Sequence, residues 1–372
     1  VAEAPVDTAH YGALDRLLHR LAFVHPSLQR VLGDIENDLF KQRLAQVRIE
    51  RPVFIAGLPR AGTTLVLELL YGTGEFATYT YRQMPFVLAP LLWERIGARS
   101  RQKAVPRERA HGDAMMIDFD SPEAFEEVLW LNHLADTLFD GDTVRSIGPN
   151  DLNESFRTAY RQLAGKLVCL AAPTQGVVDL PRYLSKNNAN IARLPAIASV
   201  FDDATLLCCF RHPAAHIASL HAQHQRFLNL HRDDPFARRY MASIGHHDFG
   251  DNFRPIRFGD PGALVDHDAA SLDIRTIGPI FWLRYWIDAY RHVLDTAPAQ
   301  TRFVRFEDFL DDGAGALQRL AASAGLADPA RLARAAASLR SPTSTPEPLS
   351  SIEPALADRA EALYRELTAR IG

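Results

Sequence analysis

Residues 51–70, RPVFIAGLPRAGTTLVLELL, constrain the fold more than any other stretch. Val53-Phe54-Ile55-Ala56 is an apolar run with the length and β-branched content of a buried strand. It breaks into Gly57-Leu58-Pro59-Arg60-Ala61-Gly62-Thr63-Thr64, and Leu65, Leu67, Leu69 and Leu70 then open a helical pattern. A strand, a glycine-bearing turn and a helix start make an anion site. The unpaired amides of the first turn point at the ligand, and the helix dipole favours negative charge. The stretch reads as a phosphate-binding loop, against the plainer alternative of an ordinary βα turn with a structural glycine.

Strand-like and helical patterns alternate along the rest of the chain. Residues 8–48 read as helices broken at Pro26, a helical N-terminal cap. Residues 78–111 are punctuated by proline and end in a basic segment (Arg99, Arg101, Lys103, Arg107, Arg109) that suits a lid or substrate loop. Ser121 reads as an N-cap, with Pro122 at the first helical position and Glu123, Glu126 and Glu127 behind it. Residues 166–170, KLVCL, read as a short strand, and residues 183–188 as a strand end entering a turn before a helix over 191–200. Residues 204–210, ATLLCCF, form a buried strand stopped by Arg211-His212-Pro213, with a helix following. Residues 229–278 lack a clear period and read as an insertion. An aromatic helix over 279–295 precedes an alternating strand at 301–306, and Ala/Leu helices fill the tail.

The expected fold class is α/β: one domain with a central, mostly parallel sheet flanked by helices. Its parts are the cap at 1–48, an α/β core over 50–312 that binds a nucleotide, and a helical tail over 313–372. Ligands of such sheets sit at the carboxyl ends of the strands. Those ends carry Arg60, Lys186, Arg211 and Glu307, three cations and an acid that suit an anionic nucleotide.

At 372 residues with net charge −4, the chain gives no reason to expect nucleic acid or an anionic membrane as its main partner. Its 3 cysteines are odd in number, and Cys208 and Cys209, adjacent on a strand, point to opposite faces. A disulfide framework is not expected, which fits a reducing compartment. No apolar stretch approaches the ~20 residues of a membrane span. A cytoplasmic protein is the expectation, and its Ala- and Arg-rich usage suggests a bacterial source.

The loop has Walker A spacing, but Thr63 follows Gly62 where the nucleotide triphosphatases carry lysine, and the basic residue is Arg60. This argues against a kinase-like transferase using ATP and Mg²⁺. The form Pro59-Arg60-Ala61-Gly62-Thr63-Thr64 after a strand resembles the 5′-phosphosulfate loop of the sulfotransferases. These enzymes use 3′-phosphoadenosine 5′-phosphosulfate (PAPS) and have a P-loop-like fold. Arg211-His212-Pro213 followed by Ser219 is similar to the family's 3′-phosphate motif, although His212 stands where Asp or Asn is usual. Lys186 resembles the Lys-x-Pro element of the bacterial and tyrosyl-protein branches, with Asn188 in place of the proline. Residues 304–309, VRFEDF, look like a further family element in which Glu307 ties loops together.

The resemblance implies roles. The amides of Ala61, Gly62, Thr63 and Thr64, with the two threonine hydroxyls, would hold the 5′-phosphate. Arg60 would stabilise charge on the bridging oxygen, and Lys186 would join the donor site. Arg211 and Ser219 would hold the 3′-phosphate. The spent donor would be adenosine 3′,5′-bisphosphate, and no metal is expected because the sulfuryl group carries one negative charge. The acceptor hydroxyl needs a general base, for which His111, Glu126 and Glu127 are candidates, with His133 behind them. A carbohydrate, glycolipid or secondary-metabolite hydroxyl is the favoured acceptor, with phenols, amines and tyrosyl peptides left open. His221, His224, His231, His246 and His247 lack the spacing of a metal set and read as solvated. A protein that binds nucleotide without turnover is the remaining alternative.

Overall fold

The computed structural model describes residues 13–97, 107–108, 116–117, 120–172, 180–259, 273–336 and 354–371. Among them five strands form the central sheet: β1 (Val53–Ala56), β2 (Phe76–Ala77), β3 (Arg182–Lys186), β4 (Thr205–Phe210) and β5 (Thr301–Arg305). Their order is β5-β4-β1-β3-β2, and every pairing is parallel. A parallel sheet needs helical crossovers that cover both faces, so its central strands β1 and β4 are almost wholly apolar, whereas β3 and β5 carry charged residues at their ends. All of β1 is buried, as are the last five residues of β4.

Alternation along the strands divides the core in two. Phe54, Ala56, Leu206, Cys208 and Phe210 face one cluster, packed by helices Glu127–Leu138, Glu154–Ala171, Pro213–Asp233, Pro279–Thr296 and Pro354–Thr368. Val53, Ile55, Leu207 and Cys209 face the other, packed by helices Thr63–Tyr71, Gly313–Ala324 and Pro329–Ala336. Cys208 and Cys209 thus part to opposite faces, and Cys169, Cys208 and Cys209 are free and buried. The aromatic residues Phe281, Trp282, Tyr285 and Trp286 are core, as their spacing suggests. No helix among the described residues is long and apolar enough to cross a membrane.

Four sequence readings are corrected. Residues 166–170 are not a strand but the end of helix Glu154–Ala171, whose inward residues Phe156, Tyr160, Leu163 and Leu167 keep helical spacing. Lys166 is buried there because its ammonium donates to the carbonyls of Gly33 (2.8 Å) and Leu88 (3.0 Å) and lies 3.5 Å from Glu36. Ser121-Pro122 does not start a helix; Pro122 bridges Thr80, and the helix begins at Glu127. The Glu123 amide donates to the Tyr79 carbonyl at 3.0 Å, so this segment is spent on pairing.

Residues 229–278 do not form a loose insertion where they are described. Helix Pro213–Asp233 runs on through 229–233, helix Pro235–Ser243 follows, and Ile256–Arg257 pairs parallel with Thr143–Arg145. Phe236, Tyr240, Phe249, Phe253 and Phe258 are buried in the larger cluster, a contribution without a short period because it comes from turns as much as helix. Finally, His224 and His231 are buried rather than solvated. Their rings are bonded to backbone: His224 Nε2 lies 2.7 Å from the Ile274 carbonyl, and His231 Nδ1 accepts the Asp251 amide at 3.1 Å. No cluster of three metal-ligating side chains occurs among the described residues.

Candidate active site

The chain leaves β1 through a tight turn. A Cβ at Gly57 (φ 146°) would sit 2.5 Å from the Cys209 carbonyl oxygen, so only glycine lets the turn lie against β4. Arg60 has φ 72°, in the left-handed region that costs a non-glycine residue about 1–2 kcal/mol. Gly62 (φ 90°) is the N-cap of helix Thr63–Tyr71, and a Cβ there would meet the Phe306 ring at 2.6 Å. Gly62 offers no side-chain cap to that helix start. Ala61 and Thr63 are buried behind the turn, whereas Gly62 and Thr64 are half-buried.

The ends of neighbouring strands converge on this turn. Arg211 follows β4 directly and is buried, its guanidinium stacked 4.7 Å from the centre of the Phe306 ring. Ser219 lies two turns into the next helix, and its Oγ accepts a hydrogen bond from Arg60 Nε at 3.1 Å. Burial lowers the pKa of Arg211, and the nearby positive charge of Arg60 lowers it further against the pull of Glu307. Two guanidiniums within each other's field beside a helix N-terminus concentrate positive charge here, partly offset by Glu307. Glu307 is structural here: its carboxylate accepts the His212 amide at 2.9 Å and the Tyr364 hydroxyl at 3.2 Å. His212 Nε2 in turn lies 3.3 Å from Glu361.

His216 joins the two halves. Trp286 Nε1 donates to its Nδ1 at 3.2 Å, so Nε2 carries the proton and donates to the Pro59 carbonyl at 2.8 Å. Burial pushes its pKa down to about 3, and the charges of Arg211 and Arg60 act the same way.

Beside the turn lies a cleft, open to solvent, whose lining includes Leu58, Pro59, Lys186, Asn188, Asp248 and Trp282. Lys186 ends β3 at its wall. Thr63 Oγ1 donates to Asn188 Oδ1 at 3.2 Å, and Asn188 Nδ2 donates to Asp248 Oδ2 at 2.9 Å. The pairing of Ile256 with Val144 brings residues 244–256 across the sheet edge to close this wall.

The proposed bases fare differently. His111 lies outside the described residues. Glu126 is 1% exposed and its carboxylate is held by the hydroxyls of Tyr160 (2.6 Å) and Tyr183 (2.7 Å) and by Trp130 Nε1 (3.5 Å). It does not line the cleft. Glu127 does line it, but both oxygens are taken: Arg193 grips them at 2.6 and 2.8 Å and Asn187 donates at 2.7 Å. Arg193 is fully buried and stacks 4.4 Å over Trp130, so this pair is built into the core. His133 sits away from the cleft against Phe156, and burial pushes its pKa down to about 4.

Sequence reasoning missed His216 and Asp248, read His247 as solvated, and gave Phe306 no role of its own within residues 304–309. The three consecutive polar residues His246-His247-Asp248 within an aromatic segment were the available signal, and their place in the cleft is set by long-range pairing.

The family model of the sulfotransferase family matches residues 52–260. Among solved structures, the sulfotransferase STF9 from Mycobacterium avium is similar at a TM-score of 0.54 and 15% identity, over 98% of this chain and 87% of that one. The sulfotransferase STF1 from Mycobacterium tuberculosis H37Rv aligns over 98% of this chain and 88% of its own, at 14% identity and a TM-score of 0.46. No curated protein matches the sequence. The first of these likenesses carries the fold, the five-stranded parallel sheet with helices on both faces. With more than half the chain matched, the protein belongs to the sulfotransferase family, the enzymes that draw on PAPS.

Proposed function

We propose that the protein transfers the sulfuryl group of PAPS to a hydroxyl of a small-molecule or glycan acceptor. The observation that carries this reading is the placement of Arg60 and Arg211 within each other's field, with Ser219 on Arg60, beside the N-terminus of helix Thr63–Tyr71. Mutual repulsion between a buried and a half-buried cation is relieved by an anion between them. A donor with phosphates at both 5′ and 3′ positions supplies two such anions, and its phosphosulfate bond supplies the transferable group.

In this reading the amides of Gly62, Thr63 and Thr64 and the hydroxyl of Thr64 bind the 5′-phosphate, whereas the Ala61 amide is spent on the Leu58 carbonyl at 3.2 Å and the Thr63 hydroxyl on Asn188. Arg60 stabilises the negative charge that collects on the bridging oxygen as the bond from sulfur breaks, an electrostatic role of the kind that dominates group transfer. Arg211 and Ser219 bind the 3′-phosphate and distinguish this donor from ordinary adenosine phosphates. Lys186 adds positive charge between donor and acceptor. The buried rings of Phe253, Trp282 and Tyr285, tilted or edge-on to one another, back the cleft, and Asn187 and Arg254 give it polar groups. That mixture favours a ring bearing hydroxyls, such as a sugar or a hydroxylated metabolite.

Calorimetric titration with adenosine 3′,5′-bisphosphate, beside ATP and 5′-AMP, all without Mg²⁺, tests the donor site. The expected result is micromolar binding of the bisphosphate, weakened by about 1.5–3 kcal/mol in Arg211→Ala, the size of a charge-assisted bond. Preference for ATP, or equal binding by parent and variant, overturns the reading.

A further inference from the structure

We infer that Asp248 is the general base that takes the proton of the acceptor hydroxyl, with Asn188 as its positioning residue. The inference rests on the sulfuryl-transfer reading above and names a group that neither the loop motifs nor the family match assigns. Of the carboxylates lining the cleft, Glu127 has both oxygens occupied by Arg193 and Asn187. Asp248 is half-buried in the cleft wall and spends one oxygen, Oδ2, on Asn188. Its Oδ1 is the cleft carboxylate oxygen to which no described side chain donates.

The bond to Asn188 matters for a second reason. Asn188 also accepts from Thr63 Oγ1, in the first turn of the loop helix, so two hydrogen bonds link the Asp248 carboxylate to the donor loop. This chain fixes the carboxylate relative to the 5′-phosphate side of the cleft, and a general base acts only from such a fixed position. Lys186 and Arg254 also line the cleft. His247, the neighbouring cleft residue, turns its Nδ1 to the Asn252 carbonyl at 3.2 Å, and burial lowers its pKa.

The step balances without a co-reactant. Asp248 takes the acceptor proton while that oxygen bonds to sulfur. The bond from sulfur to the bridging oxygen breaks, and its electron pair leaves with adenosine 3′,5′-bisphosphate beside Arg60. The carboxylic acid then returns its proton to solvent.

The test uses Asp248→Asn and Asp248→Glu in the full chain. Asparagine still accepts the Asn188 bond through its own Oδ1, so the wall is kept and only basicity is removed. Two quantities are measured: calorimetric affinity for adenosine 3′,5′-bisphosphate, and its release from PAPS with water as the acceptor, across pH 5 to 9. Asp248→Asn should keep the affinity within about twofold and lower the release about 100-fold or more, the usual worth of a positioned base. Asp248→Glu should restore part of the lost release. Release unchanged in Asp248→Asn, or Asp248→Glu no better than Asp248→Asn, overturns the inference. A parent that fails to bind the bisphosphate sinks the sulfuryl-transfer reading instead. Should release to water fall below detection in the parent, a crystal structure with bisphosphate decides the point. Asp248 must then point at the open face of the 5′-phosphate, within the about 7 Å that one acceptor oxygen spans. A carboxylate turned away from it refutes the assignment.

Discussion

Replacing His216 by glutamine should make the protein less sensitive to mild acid. The ring is fully buried between Trp286 and the Pro59 carbonyl, and burial pushes its pKa from the ordinary 6.5 down to about 3. The unfolded chain therefore binds a proton at this position below about pH 6.5, and the folded protein does not until about pH 3. Stability contributed by the neutral ring is complete above pH 6.5 and is lost as pH falls toward 3. At pH 5 the loss is about 1.36 kcal/mol for each of 1.5 pH steps, or about 2 kcal/mol. A glutamine side chain here keeps a donor for Pro59 and cannot titrate. Urea unfolding of parent and His216→Gln at pH 7, 6 and 5 measures the difference directly. The variant should start about 1 kcal/mol weaker at pH 7, for an imperfect hydrogen bond, and gain about 2 kcal/mol on the parent by pH 5. Other buried histidines, His19 among them, lower both curves alike and drop out of the comparison. Parallel curves would mean that His216 is not the buried neutral ring described here.

Three further outcomes rest on the same geometry. Arg60→Ala should reduce transfer about 10²–10³-fold in a turnover assay with PAPS while calorimetry still detects the bisphosphate, since Arg211 remains; equal turnover would remove Arg60 from the chemistry. Gly62→Ala places a methyl 2.6 Å from the Phe306 ring at a φ of 90°, so thermal or urea unfolding should show a loss of about 1–3 kcal/mol and bisphosphate binding should weaken with it. Glu127→Ala should cost about 3–5 kcal/mol in urea unfolding, because it strands the buried Arg193 charge, whereas Glu127→Gln should cost less.

Much of the candidate donor side is legible in the chain because its signals are local. A buried strand, two glycines and a helix start within twelve residues leave few conformations, and Arg211 and Ser219 are spaced along a single strand–helix junction. Their register follows from parallel pairing, which sets Ile55 beside Leu207 and aligns the strand ends. The KLVCL misreading has an equally local cause: five apolar or aliphatic residues look alike in a strand and in a buried helix end, and only the longer run from Glu154 decides. The Ser121-Pro122 signal was a sound cap by composition, overridden by pairing with residues 79–81.

Fold class and the positions of the candidate phosphate ligands are therefore written in the chain, since strand periodicity, glycine conformation and helix-start amides act over a few residues. The candidate acceptor side depends on folding. Packing spends Glu126 on two tyrosines and Glu127 on a buried arginine, and it carries Asp248 across to Asn188, 60 residues away along the chain. A carboxylate's basicity depends on which donors reach it and how much water remains around it. Those are properties of contacts between distant segments, and no spacing within the chain records them.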